Sequence, residues 1–496
     1  MVNNYKVVEN SKKNFDKYFK KFYSTKSFDK KFELAEFLAY LASYAHTGYY
    51  YSYELEKFFI ECAQKYSTEI CTDFQEKSFL HVVTNFYKRG GHSRVVEKWI
   101  KQAPDNEIHS VVLLNQQYNH DITEVLQENI KEKNGTLEIF DTRLSTIDRA
   151  LELRKLASKY EYIVLHTHME DATSLIAFGT EDFKRPIIFY NHADHMFWLG
   201  LSIIDALADI RPESFVTKEK RGVIKPYYVG VPIDYSQHCN LTKEKAREEL
   251  NIEKNVRIVL TIGADYNFVN LPNKSYSNML ADFIKDKENT YIYVVGPSKQ
   301  SKQWLEACKR SNNKIKLVGK VDYNTKYFKY IAASDFILDS WPMGGGTVMI
   351  DAVSNNRAVL SLDSTVGQFA YLTKSQAYCK SEEEFFEKFN RLLNDETFAN
   401  DLLLELKQNL EKENSQESFV NNIRKMLNEM PKTHNISLPK SQNEKINFED
   451  ADLILNLIYN KQGNIFSKMY NYLKYLQYKY FKNNKHKMYK YKKLSI

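Results

Sequence analysis

The sequence predicts an α/β chain of two doubly wound, Rossmann-like lobes, with a helical region ahead of the first and a helical tail behind the second. Three observations carry this. At 496 residues the chain is too long for one ordinary core. Short β-rich apolar runs alternate with helical stretches in two separate series, the pattern of parallel sheets covered on both faces. Between the series, Gly230-Val231-Pro232 breaks the alternation and a Lys/Glu-rich helix follows from Thr242.

Taken in order, residues 1–78 read as helical. Leu34, Phe37, Leu38, Leu41 and Tyr44 recur at helical spacing with Glu33 and Glu36 between them, and no strand pattern appears before Leu80. The first lobe, 79–235, draws its strands from LHVVTN (80–85), IHSVVLL (108–114), YIVLH (162–166) and PIIFYNH (186–192). The second lobe, 236–430, draws on RIVLTIG (257–263), YIYVVG (291–296), KIKLVG (314–319), FILDS (336–340) and AVLSL (358–362), each run leading into a loop with Gly or Ser. Residues 431–447 read as a linker. Residues 448–496 read as a basic amphipathic helical tail, in which Ile465, Phe466, Met469, Tyr472, Leu473, Leu476 and Tyr480 make one apolar stripe. No repeat of fixed period is visible.

Composition narrows the function classes. The chain is 43% apolar and 14% aromatic, ample for packed cores. It has no apolar run of about 18 residues to span a membrane, and its N-terminus lacks an apolar signal core, so the expected location is the cytoplasm. Cys62, Cys71, Cys239, Cys308 and Cys379 are scattered without zinc-site spacing and read as reduced thiols. The net charge is +7, yet residues 464–496 alone carry nine lysines and no Asp or Glu, so the body is nearly neutral. A neutral body argues against nucleic acid as a partner. The lysine-flanked aromatic stripe of 464–496 suits a peripheral contact with an anionic membrane, here the inner face of the plasma membrane.

In open α/β sheets ligands bind beyond the carboxyl ends of the strands. The strongest motif at such an end is SDFILDSWPMGGGTVMIDAVSNNRAVL (334–360). Gly344, Gly345 and Gly346 let the backbone approach a ligand, and a helix opens near Thr347, where free N–H groups and the helix dipole suit a diphosphate. Thr347 and Asp351, four apart, share a helix face; Thr347 can bond phosphate and Asp351 can accept from ribose hydroxyls.

This stretch resembles the donor-binding segment of GT-B glycosyltransferases, above all the O-GlcNAc transferase type and bacterial adhesin glucosyltransferases, in which a Gly-Thr turn opens a helix bearing an Asp. The resemblance covers about residues 257–380. It implies a donor that is a nucleotide diphosphate sugar, a UDP-sugar in the first place. It also implies that Lys274, in GADYNFVNLPNKSYSNML (263–280), binds phosphate, and that Gly319 and Val321, in LVGKVD (317–322), meet the nucleotide base through backbone atoms. In the first lobe, HVVTNFYKRGGHSRVVEKWI (81–100) resembles the glycine loop of the same fold, which implies that Gly90 and Gly91 lie by the donor phosphates and that His92 faces the cleft between lobes.

Two histidine clusters follow other strands, HTHMED (166–171) and NHADH (191–195). An inverting transferase needs a base for the acceptor hydroxyl, and Asp194 and His195 are the first candidates, followed by His168. Large-family retaining enzymes of this fold carry Glu-x7-Glu across the glycine turn; here the position eight before Asp351 is Met343, which favours inversion. The one Asp-x-Asp string, Asp450-Ala451-Asp452, lies outside both lobes and reads as a solvated helix start, so no essential metal and no cofactor are expected. The acceptor expected is a bacterial surface glycan or its lipid-linked precursor. Other readings compatible with these residues are a protein O- or N-glycosyltransferase, a nucleotide-sugar epimerase on the same fold, and a zinc hydrolase built on His166, His168, Asp171 and the 191–195 cluster.

Overall fold

Runs such as Ile187–Asn191 and Ala358–Leu362 are buried at every position, the mark of strands covered on both faces. The computed structural model describes residues 5–88, 91–211, 220–222, 226–233, 241–364, 368–441 and 448–461, and within them the strands form two all-parallel sheets. The first sheet contains β1 (Gln75–Val83), β2 (Ile108–Leu113), β3 (Leu137–Ile139), β4 (Tyr160–His166), β5 (Ile187–Asn191), β6 (Ala206–Asp209) and β7 (Tyr227–Tyr228), in the order β3-β2-β1-β4-β5-β6-β7. The second contains β8 (Arg257–Ile262), β9 (Thr290–Val295), β10 (Ile315–Gly319), β11 (Phe336–Leu338), β12 (Ala358–Leu362) and β13 (Tyr378–Cys379), in the order β10-β9-β8-β11-β12-β13. Both sheets are wound outward from their first strand. The topological switch therefore falls between β1 and β4 in one lobe and between β8 and β11 in the other, where such sheets hold ligands.

The strand β1 begins at Gln75, five residues ahead of the apolar signal, because Gln75, Glu76 and Lys77 are exposed and polar. The N-terminal helices α1 (Lys6–Ser24), α2 (Phe28–Tyr44) and α3 (Tyr53–Ala63) are an outer layer of the first lobe. Phe15, Phe32 and Phe59 share one apolar cluster with Leu80, Val82, Ile163, Leu165 and Phe189 of the sheet. Buried Glu56 of α3 accepts from the backbone N–H groups of Gly200, Leu201 and Ser202, and buried Arg154 donates to the carbonyls of Ala63, Tyr66, Ile176 and Ala177.

After the second sheet the chain returns. Of α15 (Glu396–Asn414) and α16 (Gln416–Glu429), the latter sets Phe419 edge-on against Trp99 at 5.6 Å. The segment expected to be a linker is docked over 431–441: His434 bonds Asp205 at 2.9 Å and the Phe178 carbonyl at 3.0 Å, and the Ser437 N–H donates to the Ser202 carbonyl. Most of its side chains stay exposed, and the docking runs through buried His434 and through backbone groups.

The last described helix, α17 (Asp450–Lys461), lies across both lobes. Ile454, Leu455, Ile458 and Tyr459 pack with Tyr50 and Met196 on one side and with Val269, Tyr266, Leu271 and Met343 on the other. The Asp-x-Asp string at its start is only half solvated. Asp450 is exposed, but Asp452 is 2% exposed and bonds His46 at 2.7 Å and the Tyr50 hydroxyl at 2.9 Å. The lysine-rich stripe of 464–496 lies outside the described residues, as does Cys239; Cys62, Cys71, Cys308 and Cys379 are unpaired. No helix among the described residues is long and apolar enough to cross a membrane.

Candidate active site

In the second lobe the switch-point loops are built around one carboxylate. β11 delivers Asp339, 2% exposed, just past its end. Its Oδ1 accepts from the N–H groups of Ser340 at 2.9 Å and Gly345 at 2.6 Å, and its Oδ2 from Ser361 Oγ at 2.9 Å and Gln368 Nε2 at 2.8 Å. The triglycine turn is thereby pinned to the floor of the sheet, with Gly344 lying directly against Asp339 and Gln368. Burial raises the Asp339 carboxyl pKa, against these four donors. Gly346 turns with φ +56°, a left-handed value suited to glycine, and α12 (Thr347–Ser354) begins on it with no side-chain cap. Thr347 and Asp351 share a face as expected, and Asp351 accepts from the Tyr327 hydroxyl at 3.0 Å. Gly319 closes β10, and Val321 packs partly buried against the core.

Lys274 is occupied in this state. Its ammonium pairs with Glu382 and lies 4.6 Å over the Trp341 ring, beside a cavity of about 360 Å³ walled by Trp341, Glu382, Asp450 and Leu453.

In the first lobe, β1 leads through Thr84 into α4 (Gly91–Gln102). Gly91 is exposed, and Gly90 lies outside the described residues. His92 donates Nε2–H to the His166 carbonyl at 2.7 Å. Because a carbonyl only accepts, the tautomer is fixed and the lone pair sits on Nδ1. Burial, helped by neighbouring His168, brings the His92 pKa down to about 4, so the ring is neutral at pH 7. Two residues on, the Arg94 guanidinium lies 3.6 Å over the Tyr323 ring; Tyr323 stacks on Tyr327 at 4.8 Å, and Tyr327 bonds Asp351. One continuous contact path thus joins the first lobe's glycine loop to the second lobe's candidate ribose carboxylate.

The histidine clusters separate into two sites. The His92 ring lies 4.2 Å from that of His192 and 6.5 Å from that of His168, all three partly exposed. Asp194 and His195 are elsewhere, 3% and 7% exposed, with His195 stacked 6.5 Å from Tyr459 of α17. Burial lowers the His195 pKa despite Asp194 Oδ1 at 3.3 Å. The group His166, His168 and Asp171 does not converge on a point. Asp171 accepts from Thr84 Oγ1 and the Thr173 N–H, while both ring nitrogens of His166 bond other histidines. Among the described residues no three of His, Cys, Asp and Glu are placed to hold a metal ion. Sequence reasoning missed Arg94, Tyr323, Tyr327, Asp339 and His192. His192 was visible within NHADH, and Asp339 at the end of an apolar run, but the pairing of Arg94 with Tyr323 joins residues from different lobes.

No protein-family model matches the sequence, and no curated protein matches it. Solved structures do match. A glycosyltransferase of Rickettsia africae is 14% identical with a TM-score of 0.53, over 72% of this chain and 99% of that one. HepE of Anabaena, solved with UDP-glucose, is 14% identical with a TM-score of 0.50, over 71% and 99%. An O-GlcNAc transferase of Thermobaculum terrenum is 11% identical with a TM-score of 0.51, over 79% and 76%. The fold is GT-B. In this GT-B chain the N-lobe carries β1–β7 and the C-lobe β8–β13, and the loops at the two switch points are those bearing His92 and the triglycine turn.

Proposed function

We propose that the chain is a glycosyltransferase moving a sugar from a UDP-sugar to a bacterial surface glycan or its lipid-linked precursor, with inversion and without an essential metal. The observation that carries this is the uncapped start of α12, with Asp351 one turn on, joined through Tyr327, Tyr323 and Arg94 to the His92 loop of the other lobe. The donor diphosphate sits on the triglycine turn and the α12 N-terminus, where backbone N–H groups stabilise the charge that grows as it leaves. Asp351 takes the ribose hydroxyls, and the backbone of Gly319 and Val321 meets the base. Arg94 adds a cation at the cleft, and Lys274 does so on exchanging Glu382 for phosphate. These groups do the electrostatic work a metal would otherwise do. The acceptor hydroxyl gives its proton to the imidazole cluster of His92, His168 and His192, which is favoured over Asp194 and His195 by its partial exposure. Met343 in place of a second acidic residue supports inversion. The cytoplasmic location and the membrane contact through 464–496 belong to the same proposal.

The test is a melting-temperature titration with nucleoside diphosphates and UDP-sugars in EDTA, since a ligand that binds the native state raises its stability. UDP is expected to stabilise the protein and Asp351→Ala to abolish the shift. Absence of a shift with any nucleotide at millimolar concentration defeats the proposal.

A further inference from the structure

Four adjacent strands of the N-lobe each contribute one histidine to a diagonal row. His109 lies on β2, His81 on β1, His166 ends β4 and His192 follows β5. The registers explain the row. His109 pairs with Phe79, two before His81; His166 pairs with Val83, two beyond His81; and Leu165 pairs with Phe189, which sets His192 two beyond the neighbour of His166. Steps of two keep every ring on one face of the sheet. The rings meet end to end: His192 Nε2 to His166 Nδ1 at 2.8 Å, His166 Nε2 to His81 Nδ1 at 3.0 Å, and His81 Nε2 to His109 Nδ1 at 2.9 Å. His109 Nε2 then meets Glu107 Oε2 at 3.1 Å. His109, His81 and His166 are fully buried, with Trp99 edge-on to His81 and His166. Only the ends, Glu107 and His192, reach partial exposure. Among the described residues His192 Nδ1 has no hydrogen-bond partner.

An ionised carboxylate accepts and cannot donate, so Glu107 sets the direction of the whole row. With Glu107 ionised, His109 carries its proton on Nε2, and each ring behind it does the same. The row then ends on a lone pair at His192 Nδ1, beside His92. Burial keeps the rings from holding an extra proton: it drives His81, His166 and His192 well below the usual imidazole value and His109 to about 3. Burial also raises the Glu107 carboxyl, opposed by Arg424, Lys133 and Lys77. A cation formed at the cleft would therefore be expelled, and the row offers it one exit.

We propose that Glu107, His109, His81, His166 and His192 form a proton relay that takes the acceptor's proton at His192 and stores it on Glu107 during glycosyl transfer. The relay rests on the transferase reading above. The acceptor oxygen bonds the anomeric carbon as the carbon–oxygen bond to the diphosphate breaks, its electron pair leaving with the diphosphate. The hydroxyl proton goes to His192 Nδ1, and each Nε2 proton moves one bond along, to His166, His81 and His109 in turn and finally to Glu107 Oε2. Every ring ends neutral as the Nδ1–H tautomer, Glu107 ends protonated, and the diphosphate carries the negative charge. When products leave, the same steps run backwards, deliver the proton to water in the open cleft and restore the starting tautomers. His192 is the catalytic residue of this set; the other four act through it.

The experiment pairs two measurements on the full chain. Nitrogen-15 spectra of histidine-labelled wild-type protein at pH 7 are expected to show four neutral Nε2–H rings at 81, 109, 166 and 192; Nδ1–H or mixed tautomers there overturn the relay without any variant. Release of UDP from UDP-glucose and UDP-N-acetylglucosamine, with water as acceptor, is then compared in wild type, Glu107→Gln and Glu107→Asp. The relay requires kcat to fall at least about tenfold in Glu107→Gln with donor KM unchanged, and to recover in Glu107→Asp, since proton transfer contributes on this scale. If UDP stabilises the protein and both variants turn over like wild type, the relay is wrong and the transferase stands. If UDP neither binds nor is released, both fall together.

Discussion

In the C-lobe the switch-region strands β8, β9 and β10 end on Gly263, Gly296 and Gly319, and the loop after β11 on Gly344–Gly346. In the N-lobe the counterparts of those strands, β1 to β4, run into Thr84, Leu114, Phe140 and Thr167, and His166 and His192 stand at the ends of β4 and β5. Both sheets have the same doubly wound order, so topology does not set this difference. The C-lobe strips side chains away so that backbone can approach a ligand. At Gly296, with φ +110°, an added Cβ would lie 2.1 Å from the Gly263 carbonyl oxygen. The N-lobe instead fills its strand ends with neutral imidazoles. On the proposal made above, one fold, used twice, is divided into a face that binds and a face that handles protons.

The largest test of that division removes the pin beneath the binding face. Asp339→Ala leaves the Gly345 N–H, Ser361 and Gln368 without their acceptor. A loss of about 3 kcal/mol or more is expected in denaturant unfolding, together with loss of the UDP-induced stabilisation. A change below about 1 kcal/mol would show that the turn does not depend on its carboxylate.

The proton-handling face is tested by acid. His92, at about 4, and His109, at about 3, are lowered from 6.5, so the unfolded chain binds more protons than the fold below pH 6.5. Stability is therefore complete above pH 6.5 and drains as pH falls from there towards these folded values. Each ring contributes on the order of 3 kcal/mol over its full window, and the melting temperature is expected to drop by more than about 5 °C between pH 7 and 5. A flat profile would mean that the rings are not buried neutral.

A pair of variants then separates the faces. Asp351→Ala is expected to weaken UDP binding by about tenfold or more through loss of its hydrogen bonds. His92→Ala is expected to leave UDP binding within about twofold and to lower turnover by about a hundredfold. Calorimetry and UDP-release kinetics read the two effects; a swap of these phenotypes would reverse the assignment of the lobes. The smallest effect falls on the contact between faces. Arg94→Ala removes a cation–π contact over Tyr323 that is worth about 0.5–1 kcal/mol, and the donor KM is expected to rise about two- to fivefold.

The long strands were legible because their apolar runs are continuous: IHSVVLL contains β2, and AVLSL coincides with β12. The strands β3, β6, β7 and β13 were not, since two to four residues are too few to show a period. The triglycine turn and Asp351 stood out as a local motif. The histidine row did not, because its members become neighbours only through the registers of four strands. The sequence did hold one clue, a histidine set inside each of the apolar runs LHVV and IHSVV, where a polar residue needs a buried partner. The docking of 431–441 was hidden for the converse reason: polar residues that bond the lobe look the same in sequence as polar residues that bond water.

The placement of α17 has a mechanical consequence. Its hold on the N-lobe side is polar and buried, through Asp452 to His46 and Tyr50 and through Asn456 to the His46 carbonyl, while its hold on the C-lobe side is apolar, through Val269, Leu271 and Met343. A hinge that parts the lobes cannot stretch a helix, so it must peel one of these attachments. Breaking buried polar bonds strands their partners, whereas the apolar seam yields area gradually at about 25 cal/mol per Å². If the lobes part, the helix is therefore expected to stay with the N-lobe and to give up its apolar area against the C-lobe, so that its contacts favour the closed arrangement.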